Sequence, residues 1–311
     1  MQPTFGMLED QARRKKESML DEIVKVIDFR RIEKLLLKMY KGGGRPPIPP
    51  VMLFKALLLE SWYGLSDVQV VEEIHDRRSF ERFIGEGVRR YHLDDTTLVK
   101  FRNRLRDSGV MERVWGEVDK ALSRRGKKVK RGVIIDSTLV ESACRPESKR
   151  KDGDPVDPDA GYVKRKGLAV GGYKVHISTD DKTDIIRRME LVPIAEHDQN
   201  RFEELIPDDA SRVYADKGYS SEYHDWYLLD RGITNRVLHK ASRNRPLKAW
   251  QLEQNRRWSR VRSRVEAKMA DLKRWCSMKR MRYYGMDRNR VWMLMCGLAC
   301  NFKRAVIVAS S

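Results

Sequence analysis

Val133-Ile134-Ile135-Asp136-Ser137-Thr138 is a short apolar run that breaks off at a carboxylate. Val and Ile in succession, entered from the basic segment Lys127 to Arg131 through Gly132, predict a strand buried on both faces, with Asp136 as its last residue at the rim of a sheet. The pattern recurs at Arg212-Val213-Tyr214-Ala215-Asp216-Lys217-Gly218-Tyr219, where a second short strand delivers a second Asp and Gly218 turns the chain away. A third acid, Glu266, sits between Trp258 and Trp275, where apolar residues at 261, 265, 269, 272 and 276 have helical spacing. At about 100° per residue, Arg262, Glu266 and Lys273 fall within roughly 40° of one another. One helix face therefore presents plus, minus, plus beside an apolar stripe.

Around these stretches the chain divides into an all-helical first part and a mixed second part. Residues 1 to about 40 read as charged helix, with Met19, Ile23, Val26, Ile27, Ile32 and Leu35 to Leu37 as its apolar positions. The run 41–50, rich in Gly and Pro, breaks that helix. An apolar helix then follows from Val51 to Tyr63, started by Pro49 and Pro50. Ser66 and Gln69 form an S-x-x-Q capping box for a helix through Ile74. Asp95 is the expected cap of a further helix, Thr96 to Arg106, which would expose Lys100, Arg102, Arg104 and Arg106. Short helices with one basic member suggest a helix-turn-helix-like DNA-binding bundle, and equally a helical cap with a solvated face.

Beyond Asp136, the segment Cys144 to Gly167 reads as a loop rich in Pro, Asp, Gly and Lys. Tyr173 to Thr179 and Ile185 to Ile194 read as a hairpin, Glu196 to Ile206 as a helix, Ser221 to Asp230 as a helix, and Thr234 to Leu238 as a last strand. Successive strand and helix units imply that the two Asp-bearing strands are parallel and deliver both carboxylates to the same sheet edge.

Three carboxylates converging from two strands and a helix repel one another unless a cation lies between them. A ligand set of oxygens alone favours Mg²⁺ or Mn²⁺, and two such ions serve phosphoryl-transfer sites by activating the attacking oxygen and stabilising the leaving one. The substrate would then be a phosphodiester. Each acid also has an ordinary reading: Asp136 as a side-chain cap, Glu266 as the partner of Arg262 at i−4. His197-Asp198 is a weaker candidate for an extra ligand or acid/base group.

Composition tilts this balance. Among 311 residues, 64 Lys and Arg stand against 45 Asp and Glu, a net charge of +19. An excess spread over 13–16, 124–131, 149–151, 164–166 and 256–290 points to a polyanionic partner, a nucleic-acid backbone before a membrane surface. The hydrophobic share of 41% excludes disorder. No signal pattern opens the chain, and the longest apolar stretch, Val291 to Cys300, is too short to span a bilayer, so a cytoplasmic, nucleoid-associated protein is expected. Cys144, Cys276, Cys296 and Cys300 lack paired spacing and are assigned neither metal nor disulfide.

On these motifs the chain resembles the DDE transposases of bacterial insertion sequences, most closely the group named for insertion sequence five. Asp136 in Ile-Ile-Asp-Ser-Thr-Leu-Val-Glu looks like the family's first acid, and Asp216 in Tyr-Ala-Asp-Lys-Gly-Tyr like its second. Glu266 with Arg262 and Lys273 looks like its Arg-x3-Glu-x6-Lys signature, although Ser259 stands where the family pattern has Tyr. The segment Pro50 to Leu105, with Asp94-Asp95-Thr96-Thr97 and Phe101-Arg102, resembles the family's N-terminal helical domain.

The resemblance implies an α/β fold with two parts. Residues 1–125 would form an all-α DNA-binding domain. Residues 126–311 would form an RNase H-like catalytic domain, a mixed sheet flanked by helices and followed by C-terminal helices. It also implies cleavage at terminal inverted repeats with two Mg²⁺ or Mn²⁺ ions held by Asp136, Asp216 and Glu266. The 3′ ends would then be transferred into target DNA by a homo-oligomer assembled on DNA. Arg262 and Lys273 would contact DNA or the scissile phosphate. Only about 17 residues separate Leu238 from Arg256, too few for the β-rich domain that some relatives insert there. Two other readings stay open: an RNase H-like nuclease without strand transfer, and a DNA-binding protein derived from a transposase that performs no chemistry.

Overall fold

The computed structural model describes residues 18–40, 48–85, 87–124, 132–145, 148–165, 167–242 and 245–310. The basic runs at 13–16 and 125–131 and most of the Gly- and Pro-rich breaker at 41–50 lie outside the described residues.

Strand β1 does not end at Asp136. It runs Gly132–Glu141, because Thr138, Leu139 and Val140 continue the ladder with β3 (Leu168–Asp180), antiparallel and in register Asp136↔Ile177. What ends at Asp136 is the parallel pairing with β5 (Arg212–Ala215), whose last pair is Ile135↔Ala215. Asp136 and Asp216 are therefore the first residues past the same rung of two parallel neighbours. The expected shared edge exists, as a notch beside a continuing strand.

Strand β4 (Ile186–Pro193) pairs antiparallel with β3 and closes the expected hairpin, and β6 (Thr234–Val237) pairs parallel with β5. The spatial order β4-β3-β1-β5-β6 makes a mixed, RNase H-like sheet. Two expectations are corrected. The segment from Cys144 to Gly167 contains β2 (Gly161–Arg165), whose backbone pairs with the start of β3 between Leu168 and Gly172. The expected helix at 196–206 is two tight 3₁₀ turns, Asp198–Arg201 and Glu203–Leu205. Their i→i+3 bonds bring Phe202, Leu205 and Ile206 into the core, and Pro207 stops the segment from winding further.

The helical part comprises α1 (Met19–Val26), α2 (Phe29–Leu37), α3 (Pro50–Tyr63), α4 (Asp67–Asp76), α5 (Arg78–Ile84), α6 (Asp95–Ser108) and α7 (Val110–Arg124). Helix α3 is mostly apolar, with Leu53, Phe54, Leu57, Leu58 and Trp62 buried on several sides, so it runs through the middle of the bundle. Gly64 ends it in the left-handed region at φ 68°. The Ser66/Gln69 capping box forms as read. The cap of α6 is Asp94, one residue earlier than expected: its Oδ1 accepts the Thr97 amide at 2.6 Å, and Asp95 becomes the first helical residue. After the sheet come α8 (Glu222–Asp230), α9 (Ala249–Trp275) and α10 (Met286–Ser310).

Helix α10 joins the two parts of the chain. It packs on α1, α3, α6, α7 and α9 as well as on β4. The Trp62 indole donates to the Ala299 carbonyl at 2.9 Å, and the Asn301 amide bonds both backbone groups of Ile186 on β4. Gly297 is where Trp115 and Met189 press closest, since a methyl group there would stand 2.8 Å and 2.3 Å from their side chains. Met286–Ala309 is long and apolar enough to cross a membrane, longer than the stretch read from sequence, yet 78% of its apolar window is buried inside the protein. One hydrophobic cluster consequently runs from Leu20, Phe54 and Phe101 through Trp292 and Met295 to Ile134, Val140 and Tyr173 on one face of the sheet. A second cluster, with Val133, Ile135, Val213, Phe202 and Leu228, covers the other face.

Two buried ion networks cross the same junction. Arg187, on β4, donates to Asp119 of α7 and to Asp209. Arg102 and Arg282 share Glu60 and Asp67, with Arg102 Nη2 at 2.6 Å from Asp67 Oδ1. This corrects the expected DNA-facing position of Arg102, a residue only 9% exposed inside the bundle. Phe101 and Leu105 turn that side of α6 inward, and Arg102 follows with acids waiting for it. Lys100 and Arg104 are exposed, the latter stacked over the Tyr40 ring, while Arg106 is half-buried against Asp107.

Candidate active site

Helix α9 lies across the face of the sheet from which Ile134 and Val140 project, with Val265, Met269 and Leu272 buried against it. The 4, 4, 3 spacing read from sequence is thus the contact stripe, and it rotates Arg262, Glu266 and Lys273 toward β1. Arg262 Nη1 donates to Asp136 Oδ2 at 2.6 Å and its Nη2 to Glu266 Oε1 at 2.7 Å. One guanidinium therefore bridges the first and third expected acids, across 126 residues of sequence on one side and one helical turn on the other. Lys273 donates to the Leu139 carbonyl at 2.9 Å, fastening α9 to β1 three residues beyond Asp136.

Asp136 caps nothing beyond its own neighbour: its Oδ1 accepts the Ser137 amide at 2.9 Å. Asp216 heads the turn Lys217–Tyr219 without a side-chain capping bond, and among the described residues its carboxylate accepts no hydrogen bond. Glu266 is 55% exposed, against 16% for Asp136 and 20% for Arg262, so the cluster opens on the Glu266 side.

Burial pushes the Asp136 carboxyl up to about 6. The charges of Asp216 and Glu266 push the same way, against the Ser137 amide and the Arg262 guanidinium. This is a buried acid that needs positive charge and has one arginine to supply it. All the oxygens on offer are carboxylate, the set a hard divalent cation takes. Among the described residues, no three acidic, His or Cys side chains stand close enough together to enclose one ion. Arg262 occupies the space between Asp136 and Glu266, and a cation shared by those acids requires the guanidinium to move aside.

On the opposite face of the sheet, directly behind this cluster, lies a polar group that the sequence reading largely missed. His176, the cross-strand neighbour of Ser137, is fully buried and bonds the Tyr219 hydroxyl through Nδ1 at 2.9 Å. Burial pushes its imidazole down to about 4, so it is neutral at ordinary pH. Asp198 faces the group from the 3₁₀ turn, paired with Lys174 Nζ at 2.8 Å. Burial, and the charges of Asp198, Asp136 and Asp216, push the Tyr219 phenol up, so three acids act on one hydroxyl. His197, flagged together with Asp198, is exposed and makes no side-chain capping bond. The alternation Tyr-Lys-Val-His-Ile-Ser at 173–178 did mark a polar strand face holding Lys174, His176 and Ser178. Alternation alone assigns such a face to solvent, and here it is covered by Phe202 and Tyr219.

Comparison with known proteins gives the following. Residues 127–302 match the family described as "Transposase DDE domain", and residues 8–104 match "Transposase domain (DUF772)". Among solved structures, the chain is similar to the piggyBac transposase in a synaptic complex with hairpin DNA, at 12% identity, with 95% of this chain and 73% of that chain covered and a TM-score of 0.44. It is also similar to the Mos1 strand transfer complex, at 16% identity, with 86% and 80% covered and a TM-score of 0.23.

Proposed function

The chain belongs to the family of DDE-domain transposases, and from that premise we propose that it binds the terminal inverted repeats of its own element, cuts phosphodiester bonds there with divalent metal, and joins the freed 3′ ends to target DNA. Enzymes of this family generally use divalent metal ions. Asp136, Asp216 and Glu266 are the residues that would hold Mg²⁺ or Mn²⁺ in this chain. The observation that carries this reading is the placement of Asp136 and Asp216 one residue past the rung Ile135↔Ala215, with Arg262 linking Asp136 to Glu266.

The residues divide the work as follows. When bound, the metal activates the attacking oxygen and stabilises the leaving one. Asp136 would hold the metal, whose charge would offset the burial that now pushes this carboxyl up. Arg262, which here bonds Asp136 and Glu266, has the planar fork that would make paired bonds to the substrate phosphate were the metal to take over those carboxylates. Lys273 keeps α9 seated on β1, so that Glu266 stays in reach of the two Asp residues. Lys100 and Arg104, on the exposed side of α6, approach the DNA backbone at the element's ends, and the helices at 50–108 select those ends. Synapsis of two ends calls for a homo-oligomer, acting on the nucleoid in the cytoplasm.

Linear DNA bearing the element's ends, incubated with the protein and Mg²⁺, tests the proposal. Nicks at the end boundary followed by joined products are expected. Cuts without joining would leave a nuclease, and binding without cuts would leave a DNA-binding protein that has lost its chemistry.

A further inference from the structure

Asp198 touches both acid-bearing segments from behind. Its Oδ1 accepts from the Ser137 hydroxyl at 3.4 Å, next to Asp136, and lies 4.0 Å from the buried His176 Nε2, which has no hydrogen-bond partner among the described residues. At Gly218, two residues past Asp216, a methyl group would stand 3.6 Å from Asp198 Oδ2 and 4.0 Å from Asp216 Oδ2. Lys174, 13% exposed on β3, holds the carboxylate in place at 2.8 Å and also donates to the Glu196 carbonyl. Asp198 thus bonds β1 at Ser137 and β3 at Lys174, and lies close beside the turn after β5 at Gly218.

Ser137 and Asp136 project to opposite faces of β1, so Asp198 sits on the far side of the sheet from Glu266 and Arg262. That placement suits a brace. The turn Asp216–Tyr219 has left the sheet ladder, and Asp198 lies against it at Gly218, alongside the His176–Tyr219 bond, the Gln199 amide that donates to the Ser220 carbonyl at 3.1 Å, the His224 ring at the Tyr219 carbonyl and the Phe202 ring against Tyr219. We propose that Asp198, anchored by Lys174, is a positioning residue that sets the separation of Asp136 and Asp216 and thereby the affinity of the site for divalent metal. This rests on the metal-dependent reading given above.

The test uses the full-length protein and Mn²⁺, whose free fraction is read by electron paramagnetic resonance. Asp198→Ala and Lys174→Met should each weaken Mn²⁺ binding by about tenfold, the usual effect of removing a residue that orients metal ligands. The Mn²⁺ needed for half-maximal cleavage should rise by the same factor, excess Mn²⁺ should recover the rate, and affinity for end DNA should stay unchanged. Asp198→Asn is isosteric and keeps the acceptor for Ser137, so it remains informative if the Ala variant fails to fold; it should also bind Mn²⁺ more weakly than the parent. A folded Asp198→Asn protein with the parent's Mn²⁺ affinity overturns the proposal. Tighter binding by Lys174→Met overturns it too, since Asp198 would then be a ligand for which Lys174 competes. A parent that binds no Mn²⁺ defeats both this inference and the metal-dependent reading. Parent binding that is lost in Asp136→Ala but kept in the Asp198 and Lys174 variants defeats this inference alone.

Discussion

Asp136→Asn should stabilise the metal-free protein, and only at neutral and alkaline pH. The Asp136 carboxyl is pushed from 3.8 up to about 6, mainly by burial, so the folded state holds this proton more tightly than the unfolded chain does. A raised acid favours folding while protonated: its contribution is whole below the unfolded value and is lost as pH climbs through about 6. At roughly 1.4 kcal/mol for each pKa unit, ionising Asp136 in the absence of metal costs about 3 kcal/mol, an upper bound. Asn mimics the protonated form and avoids that cost. On the order of 2 °C for each kcal/mol in a chain this long, the variant should melt about 5 °C above the parent at pH 8 with EDTA, and level with it near pH 4. Other buried acids titrate in both proteins, so the difference between the two curves isolates this one. Adding Mg²⁺ at pH 8 should raise the parent's melting temperature and leave the variant's nearly unmoved. An Asn variant that melts below the parent at pH 8, or a difference constant from pH 4 to 8, would refute the reasoning.

Other consequences follow from the same contacts. Arg102→Ala leaves Asp67 and Glu60 with one arginine between them, and should destabilise the fold by about 3–5 kcal/mol in denaturant titration; a stable variant with weakened DNA binding would instead return Arg102 to the DNA surface. The double variant Lys100→Ala/Arg104→Ala should keep its melting temperature and lower the slope of log affinity against log salt by about 2, measured by anisotropy on end DNA. Gly297→Val should destabilise by about 1–3 kcal/mol, because the added carbons meet Trp115 and Met189, and equilibrium unfolding reads the loss.

Much of the fold was legible because it rests on local pattern. The apolar runs ending at Asp136 and Asp216, the 4, 4, 3 stripe of α9 and the Ser66/Gln69 capping box all appear where the residues put them. Their parallel arrangement follows from connectivity, and it yields the shared rung behind the two acids. What escaped the sequence depends on packing at a distance. The basic row on α6 shows four cations, and nothing local reveals that Glu60 and Asp67 await Arg102. The continuation of β1 past Asp136 depends on β3 as a partner, and β2 emerges from a polar loop only through pairing with the start of β3. Arg262 and Glu266 were legible as an i,i+4 pair, whereas the reach of Arg262 to Asp136 required the helix to be laid on the sheet. Asp198 stood in view beside His197, but its partners Lys174 and Ser137 come from separate strands.

The central claim is that Asp136, Asp216 and Glu266 form one metal-dependent DNA-cutting site. Single-turnover cleavage of a pre-bound, end-bearing duplex in Mg²⁺ tests it most directly, with Asp136→Ala, Asp216→Ala and Glu266→Ala measured beside the parent at matched DNA occupancy. The account predicts cutting and joining by the parent, and loss of cleavage in each variant with end binding retained. Cleavage at the parent's rate by any one of the three would contradict it.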